Sequence, residues 1–273
     1  MCFLDPLLRG SRARERGVVL RLDFSLKGRS ALVTGAGRGI GRACAIALAQ
    51  AGAEVWLTAR TRAEVEAAAS EIRASGSKAH AVALDVTDSK SLKEAIAAIP
   101  VLDVLVNNAG SNIPEPFVDV SEEHLDSLMD LNVRAAFLAA QAAARKMLEA
   151  PDRLQRGGAI INMSSQMGHV GAVNRTVYCM TKHALEGLTK AMALELAPRG
   201  IRVVSVAPTF VETPLTRPMM ARPDFAQWVK ERIPSGRVGQ PEDVAAAVVF
   251  AASPAAALVT GSSLLVDGGW TAQ

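Results

Sequence analysis

Residues 30–42 read SALVTGAGRGIGR, an apolar run of strand character that turns through alternating glycines straight into an Ala-rich helix stopped by Gly52. A strand ending in such a turn lets backbone amides and a helix N-terminus approach a pyrophosphate, because the glycines carry no side chain to block it. The turn alone is weak support for nucleotide binding; the strand before it and the helix after it give it weight.

Outward from that turn, short β-rich runs alternate with helical stretches. AEVWLTA is a second strand and TRAEVEAAASEIRASG a second helix, and KAHAVALDV, SKSLKEAIAAI and VLDVLVNNAG continue as strand, helix and strand. One long helix is expected from about Ser121 to Glu149, with Ser121, Glu123 or Asp119 available to its first amides. GGAIINMSS is strand five, Thr176 to Ala197 a further helix and GIRVVSVAP strand six; PEDVAAAVVFAAS is a final helix opened by Pro241, and SSLLVDGG the last strand. Strands alternating with helices imply right-handed crossovers and an α/β fold, a doubly wound Rossmann-type parallel sheet of about seven strands with helices on both faces. No composition break divides residues 26–273, which are expected to form a single domain, and residues 1–25 read as an N-terminal extension. The Pro- and Arg-rich segment 213–240 breaks the rhythm and is longer than ordinary connections, which points to a substrate lid.

Composition limits the function classes. A hydrophobic fraction of 49% supports a substantial core, while 4% aromatic residues suit closely packed helices over a sheet and suit base stacking poorly. The net charge of +3 is small, and much of it sits in Arg9, Arg12, Arg14, Arg16, Arg21, Lys27 and Arg29, so no dedicated nucleic-acid surface is expected. The N-terminal run lacks the apolar stretch of a secretory signal, and no window is apolar over the roughly 18 residues of a membrane span. Cys2, Cys44 and Cys179 are odd in number and without metal-ligand spacing, which points to reduced thiols, no metal site and a cytoplasmic location.

The segment YCMTK, 178–182, holds the chain's single tyrosine four positions before Lys182. On a helix the two share a face one turn apart. A free tyrosine titrates near ~10, too high for an efficient base at neutral pH, and a neighbouring ammonium would lower it.

Gly35, Gly37, Gly39 and Gly41 in a T-G-x-x-x-G-x-G arrangement, NNAG at 107–110, Asn132 in the long helix, Ser165 after strand five, Tyr178 with Lys182, and the C-terminal VDGG together resemble the short-chain dehydrogenase/reductase family, from about Leu26 to the C-terminus. The resemblance implies hydride transfer between a nicotinamide and a secondary alcohol or ketone. In it Tyr178 is the acid/base, Lys182 lowers its pKa and binds the ribose, Ser165 orients the substrate oxygen, and Asn132 holds a water linking Lys182 to solvent. Cofactor contacts are implied for Gly35, Gly37, Arg38, Gly39, Ile40 and Gly41, for Asp85 and Val86 at the end of strand three, for Asn108, Ala109 and Gly110, for Tyr178 and Lys182, and for Pro208, Val211 and Thr213 after strand six. Ser164 competes with Ser165, Asp88 competes with Asp85 as the cap of the next helix, and Asn107 is expected to brace the sheet.

At the end of strand two, where a carboxylate would accept hydrogen bonds from the ribose of NAD, the chain has Ala59, Arg60 and Thr61. Arg60 and Arg38 converge on that corner and favour NADP over NAD. The chain departs from the family at Val204, where an asparagine is usual, and at Thr209, where glycine is common. Candidate substrate contacts are Asn112, Gln166, His169 and Arg175, with Asn174 and Glu212 nearby. Their polarity suggests a sugar, sugar acid or polyol; Phe210, Met219, Met220, Phe225 and Trp228 in and beside the lid keep a cyclic or other apolar ketone as the alternative. Two other classes are a nucleotide-sensing protein without catalysis, against which the intact Tyr178, Lys182, Ser165 and Asn132 speak, and a nucleotide-sugar epimerase or dehydratase, which usually carries a longer C-terminal domain. The family resemblance implies a homotetramer, or a homodimer, through the long helix and the tyrosine-bearing helix, whose Ala-rich faces at 135–144 and 184–197 permit close packing.

Overall fold

Short runs of Val, Ile, Leu and Ala form strands of which the central ones are buried on both faces, and this dictates a sheet sandwiched between helices. The computed structural model describes residues 22–273; most of the Arg-rich extension, with Cys2, lies outside the described residues. The first half runs β1 (Ser30–Thr34), α1 (Gly39–Gln50), β2 (Glu54–Ala59), α2 (Arg62–Ala74), β3 (Ala79–Ala83), α3 (Ser89–Ala97) and β4 (Val104–Asn107). The second half runs α4 (Glu122–Met129), α5 (Ala135–Leu148), the one-turn α6 (Arg153–Arg156), β5 (Gly158–Met163), α7 (Thr176–Leu196), β6 (Ile201–Pro208), α8 (Arg217–Met220), α9 (Pro223–Glu231), α10 (Pro241–Ala252) and β7 (Ser263–Val266).

The seven strands pair in parallel in the order β3-β2-β1-β4-β5-β6-β7. This is the doubly wound sheet that the alternation predicts. Successive residues face opposite layers: Val33, Val104, Val106 and Ile161 pack with α1, α2 and α10, while Leu32, Leu105, Ile160 and Val203 pack with α3 and α5. Each large side chain buried in this way stabilises the fold by about 1.5–3 kcal/mol. The order reverses between β1 and β4, which opens a crevice at the carboxyl ends of those strands.

The long helix differs from its predicted form. Ser121 caps it, its hydroxyl accepting from His124 N at 3.1 Å, but residues Asp130–Arg134 form a π-helical turn between α4 and α5. The apolar spacing carries on through this segment, so nothing in the periodicity marks the widened turn. Within it, Asn132 directs its side chain out of the helix to other elements.

At the other end of the strands, the buried Asp103 accepts from Ser30 N at 3.0 Å, Arg153 Nη1 at 3.1 Å, and Arg156 Nε and Nη2 at 2.5 and 2.6 Å. The cluster ties α6 to the start of the sheet. Between β6 and α10, the segment 213–240 contains α8 and α9, which pack against the C-terminal residues. The Phe210 ring centroid lies 5.6 Å from Phe225 and 5.7 Å from Trp270, and Trp228 and Trp270 are 5.7 Å apart. The remaining tryptophan, Trp56, stacks on His80 in β3 at 4.5 Å.

Candidate active site

A cleft of about 340 Å³ lies over the carboxyl ends of the strands. The glycine turn forms one wall. Gly35 and Gly39 adopt φ of 64° and 56°, in the left-handed region open to glycine, and a Cβ on Gly35 would come within 2.9 Å of Ala109 Cα. Asn108 closes the turn from the next strand: its Nδ2 donates to Thr34 O at 2.9 Å and Gly35 O at 3.2 Å. The first turn of α1 has neither a capping side chain nor an acidic residue, so its amides are open to an anion. Two buried hydroxyls in the cleft, Ser164 Oγ and Thr209 Oγ1, have no hydrogen-bond partner among the described residues. Open amides, close-packed glycines and unpaired buried hydroxyls fit a dinucleotide.

Gly35, Gly37, Arg38, Gly39, Ile40, Gly41, Arg60, Asp85, Val86, Asn108, Ala109, Gly110, Pro208, Val211 and Thr213 all line this cleft, together with Ser165, Tyr178 and Lys182. Asp85 and Asp88 divide the duties left open by the sequence. Asp88 caps α3, accepting from Lys90 N and Ser91 N, while Asp85 Oδ1 takes Thr87 N and Oγ1 at the rim of the cleft.

Tyr178 and Lys182 lie one turn apart on α7, the ammonium 5.4 Å from the ring centroid. Lys182 Nζ donates to Met163 O at 2.8 Å, so β5 fixes where the charge sits. Burial pushes the lysine down to about 8, against the opposing pull of the Glu186 carboxylate. The expected lowering of Tyr178 does not appear. Although part of the ring faces the cleft, enclosure of the phenol raises its pKa, and hydrogen bonding to Ser165 and the charge of Arg175 offset this only in part. The lysine's ammonium is directed at a carbonyl, and burial wins over it.

Asn132 does not line the cleft. From the π turn its Oδ1 accepts from Ser111 N at 2.9 Å, and its Nδ2 donates to Ser111 O at 2.9 Å and Thr181 Oγ1 at 3.2 Å. It clamps the chain after β4 to α7. Asn107 joins the sheet to the helices, donating to Ala136 O and Asn162 Oδ1, both at 3.0 Å.

The adenosine corner contains a group absent from the sequence reading. Glu64, in the first turn of α2, lines the cleft under Gly37 and pairs with Arg38 at 3.5 Å. The end of β2 carries no carboxylate, but α2 brings Glu64 back to the same place.

The four substrate candidates separate. Among the described residues, buried Gln166 has no partner for Oε1, and the buried Asn112 Oδ1 has none either. Arg175 stands just before α7, after Asn174, the only non-glycine with positive φ among the described residues, at 59°. Its guanidinium bonds Asn174 O at 3.0 Å and approaches Met219 Sδ at 3.5 Å, and it has no carboxylate partner among the described residues. His169 is turned elsewhere: Nε2 lies 3.0 Å from Ser263 Oγ of β7 and 3.3 Å from Glu186, one turn of α7 beyond Lys182. Its loop position gave no sign of which side it faces. Among the described residues no helix is long and apolar enough to cross a membrane, and no cluster of metal-ligating side chains is found.

Comparison with known proteins agrees with this geometry. A family model described as enoyl-(acyl carrier protein) reductase matches residues 35–271. The L-xylulose reductase of Mesocricetus auratus is 41% identical over 251 residues, covering 91% of this chain and 99% of that protein. The gluconate 5-dehydrogenase of Gluconobacter oxydans is 39% identical over 253 residues, covering 91% and 96%. The crystal structure of a gluconate 5-dehydrogenase from Burkholderia cenocepacia, in complex with NADP and tartrate, superposes with a TM-score of 0.87 at 35% identity, covering 92% and 98%. Sequence likeness over nine-tenths of the length, on the same sheet and around the same cleft, places the chain in the short-chain dehydrogenase/reductase family.

Proposed function

We propose that the protein is an NADP-preferring oxidoreductase that interconverts a secondary alcohol and a ketone on a sugar, sugar acid or polyol. The observation that carries this reading is the convergence of Ser165, Tyr178 and Lys182 on the cleft walled by the glycine turn. The relatives named for xylulose and gluconate support the substrate class. Arg38 and Arg60 beside the cleft support NADP, which here would rest on the glycine turn, the open amides of α1, Asn108 to Gly110, and Pro208 to Thr213.

When bound, the nicotinamide supplies or accepts the hydride. Ser165 donates a hydrogen bond to the substrate oxygen and holds it toward Tyr178. The Tyr178 hydroxyl gives its proton to a ketone oxygen in reduction and takes the proton back in oxidation. Its raised pKa keeps it protonated at neutral pH, which is the donor state. Lys182, anchored on Met163 O, stabilises the phenolate left behind. Asn132 fixes Ser111 and Thr181 beside this group and marks the path for a water linking Lys182 to solvent. Gln166, Asn112 and Arg175, which has no carboxylate partner among the described residues, bind the hydroxyl or carboxylate groups of the substrate. Exposed Phe137 on α5 and Met180 and Leu194 on α7 support assembly through these helices into a tetramer or dimer, and the free, buried Cys44 and Cys179 suit a reducing cytoplasm.

The test is Tyr178→Phe against a panel of sugars, sugar acids, polyols and cyclic ketones with NADPH and NADP. Turnover is expected to fall by at least ~10²-fold while NADPH binding persists. Wild-type turnover in the variant would remove Tyr178 from the chemistry, and a preference for cyclic ketones would replace the substrate class.

A further inference from the structure

Helix α7 carries a third polar group at the spacing that joins Tyr178 to Lys182. Glu186 follows Lys182 by one turn on the same face and is buried. Three elements hold its carboxylate in place. Glu186 Oε2 accepts from Ser205 Oγ of β6 at 2.7 Å, Oε1 accepts from Ser263 Oγ of β7 at 3.4 Å, and His169 Nε2 in the loop before α7 lies 3.3 Å from Oε1. His169 and Ser263 also bond each other at 3.0 Å, at the solvent end of the cluster.

Lys182 is held differently. Its ammonium is buried, and its hydrogen-bond partner, Met163 O, is neutral. The titratable groups facing it are Tyr178 and Glu186, both on α7; β5 contributes only the carbonyl. Facing Glu186 are Lys182, His169, Ser205 and Ser263. Glu186 is thus the negative charge that opposes the burial of Lys182.

We infer that Glu186 is a positioning residue for the proton chemistry: it keeps Lys182 protonated over the working pH range, and Ser205, Ser263 and His169 hold its carboxylate in place for that task. This rests on the roles proposed for Tyr178 and Lys182. Without the carboxylate, the lysine loses its proton at lower pH, and with it the charge that stabilises the phenolate. The alkaline limb of the activity profile then moves toward neutrality.

The experiment compares wild type, Glu186→Gln and Glu186→Asp. Acetylation of Lys182 by acetic anhydride is followed against pH in the cofactor-free protein by peptide mass spectrometry, beside the pH profile of kcat/KM. In Glu186→Gln the labelling midpoint and the alkaline limb should both fall by about one pH unit, as expected for loss of a unit charge one helical turn away. Glu186→Asp, which keeps the charge, should remain near wild type. A midpoint that does not move in Glu186→Gln overturns the inference, whatever happens to activity, because a merely structural role would leave it in place. If Glu186→Gln fails to fold, the double variant Ser205→Ala, Ser263→Ala, which loosens the carboxylate without touching α7, must move the midpoint in the same direction, and an unmoved midpoint there is equally decisive. Labelling does not depend on turnover, so a fully active Tyr178→Phe enzyme would undo the site reading and remain distinguishable from this result.

Discussion

Glu64→Gln tests the cofactor corner most directly. The carboxylate pairs with Arg38 at 3.5 Å, but the two side chains are 38% and 66% exposed, so their attraction is worth only ~0–1 kcal/mol and freeing Arg38 costs little. Its effect on a 2′-phosphate is the larger consequence. A carboxylate about 6 Å from a dianion in near-aqueous dielectric is repelled by about 1.4 kcal/mol, which ionic screening reduces to about 0.7 kcal/mol. Removing it should tighten NADPH binding roughly threefold and change NADH binding less than about twofold. Fluorescence titration of both nucleotides at low and high salt reads this, and the gain for NADPH should shrink as salt rises. If NADH instead weakens tenfold while NADPH is unchanged, Glu64 accepts hydrogen bonds from the ribose hydroxyls, and NAD is the natural cofactor.

Gly41→Ala would place a methyl group inside contact distance of Gly35 O and Asn108 Nδ2, both fixed in the turn. The overpacking should cost ~1–3 kcal/mol and weaken NADPH at least tenfold, and a variant with unchanged Tm and Kd would refute the close-packed turn. Asp103→Asn leaves Arg153 and Arg156 without their carboxylate and should lower unfolding free energy at pH 7 by ~3 kcal/mol in urea melts. Burial alone would raise the Asp103 pKa, but hydrogen bonds from Arg156, Ser30 and Arg153 carry it below the ordinary carboxylate range. Its contribution is therefore complete above the unfolded-state pKa and disappears as pH falls through the folded value, so the gap between wild type and variant must narrow in acid. A gap that is constant from pH 7 to pH 3 would assign the loss to packing.

The sheet was legible because its signal is local: short apolar runs rich in Val, Ile, Leu and Ala, most of them followed by a helical stretch, place the seven strands. The cleft was legible for a related reason, since its glycines, Ser165 and the residues after β6 sit at strand ends, which a parallel sheet brings to one edge. What escaped depends on direction or on long-range partners. The π turn around Asn132 leaves the apolar period intact. Asp103 meets its arginines 50 and 53 residues later, a distance over which no pattern runs. His169 lay in the right loop and faces the wrong way. Glu64 and Glu186 were within reach of the sequence: the first follows from continuing past β2 into the helix, and the second from counting one more turn beyond Lys182.

The aromatic packing at the C-terminus has a spectroscopic meaning. Of the three tryptophans, Trp228 and Trp270 lie 5.7 Å apart, one on α9 and the other in the C-terminal turn, at 73° between ring planes. Trp56, against His80 on the far strands, is set apart from both. Excitonic coupling in the near-ultraviolet therefore reports the seating of α9 on the C-terminal turn from within the native chain, with Trp56 as a stationary background and no label to disturb the cleft.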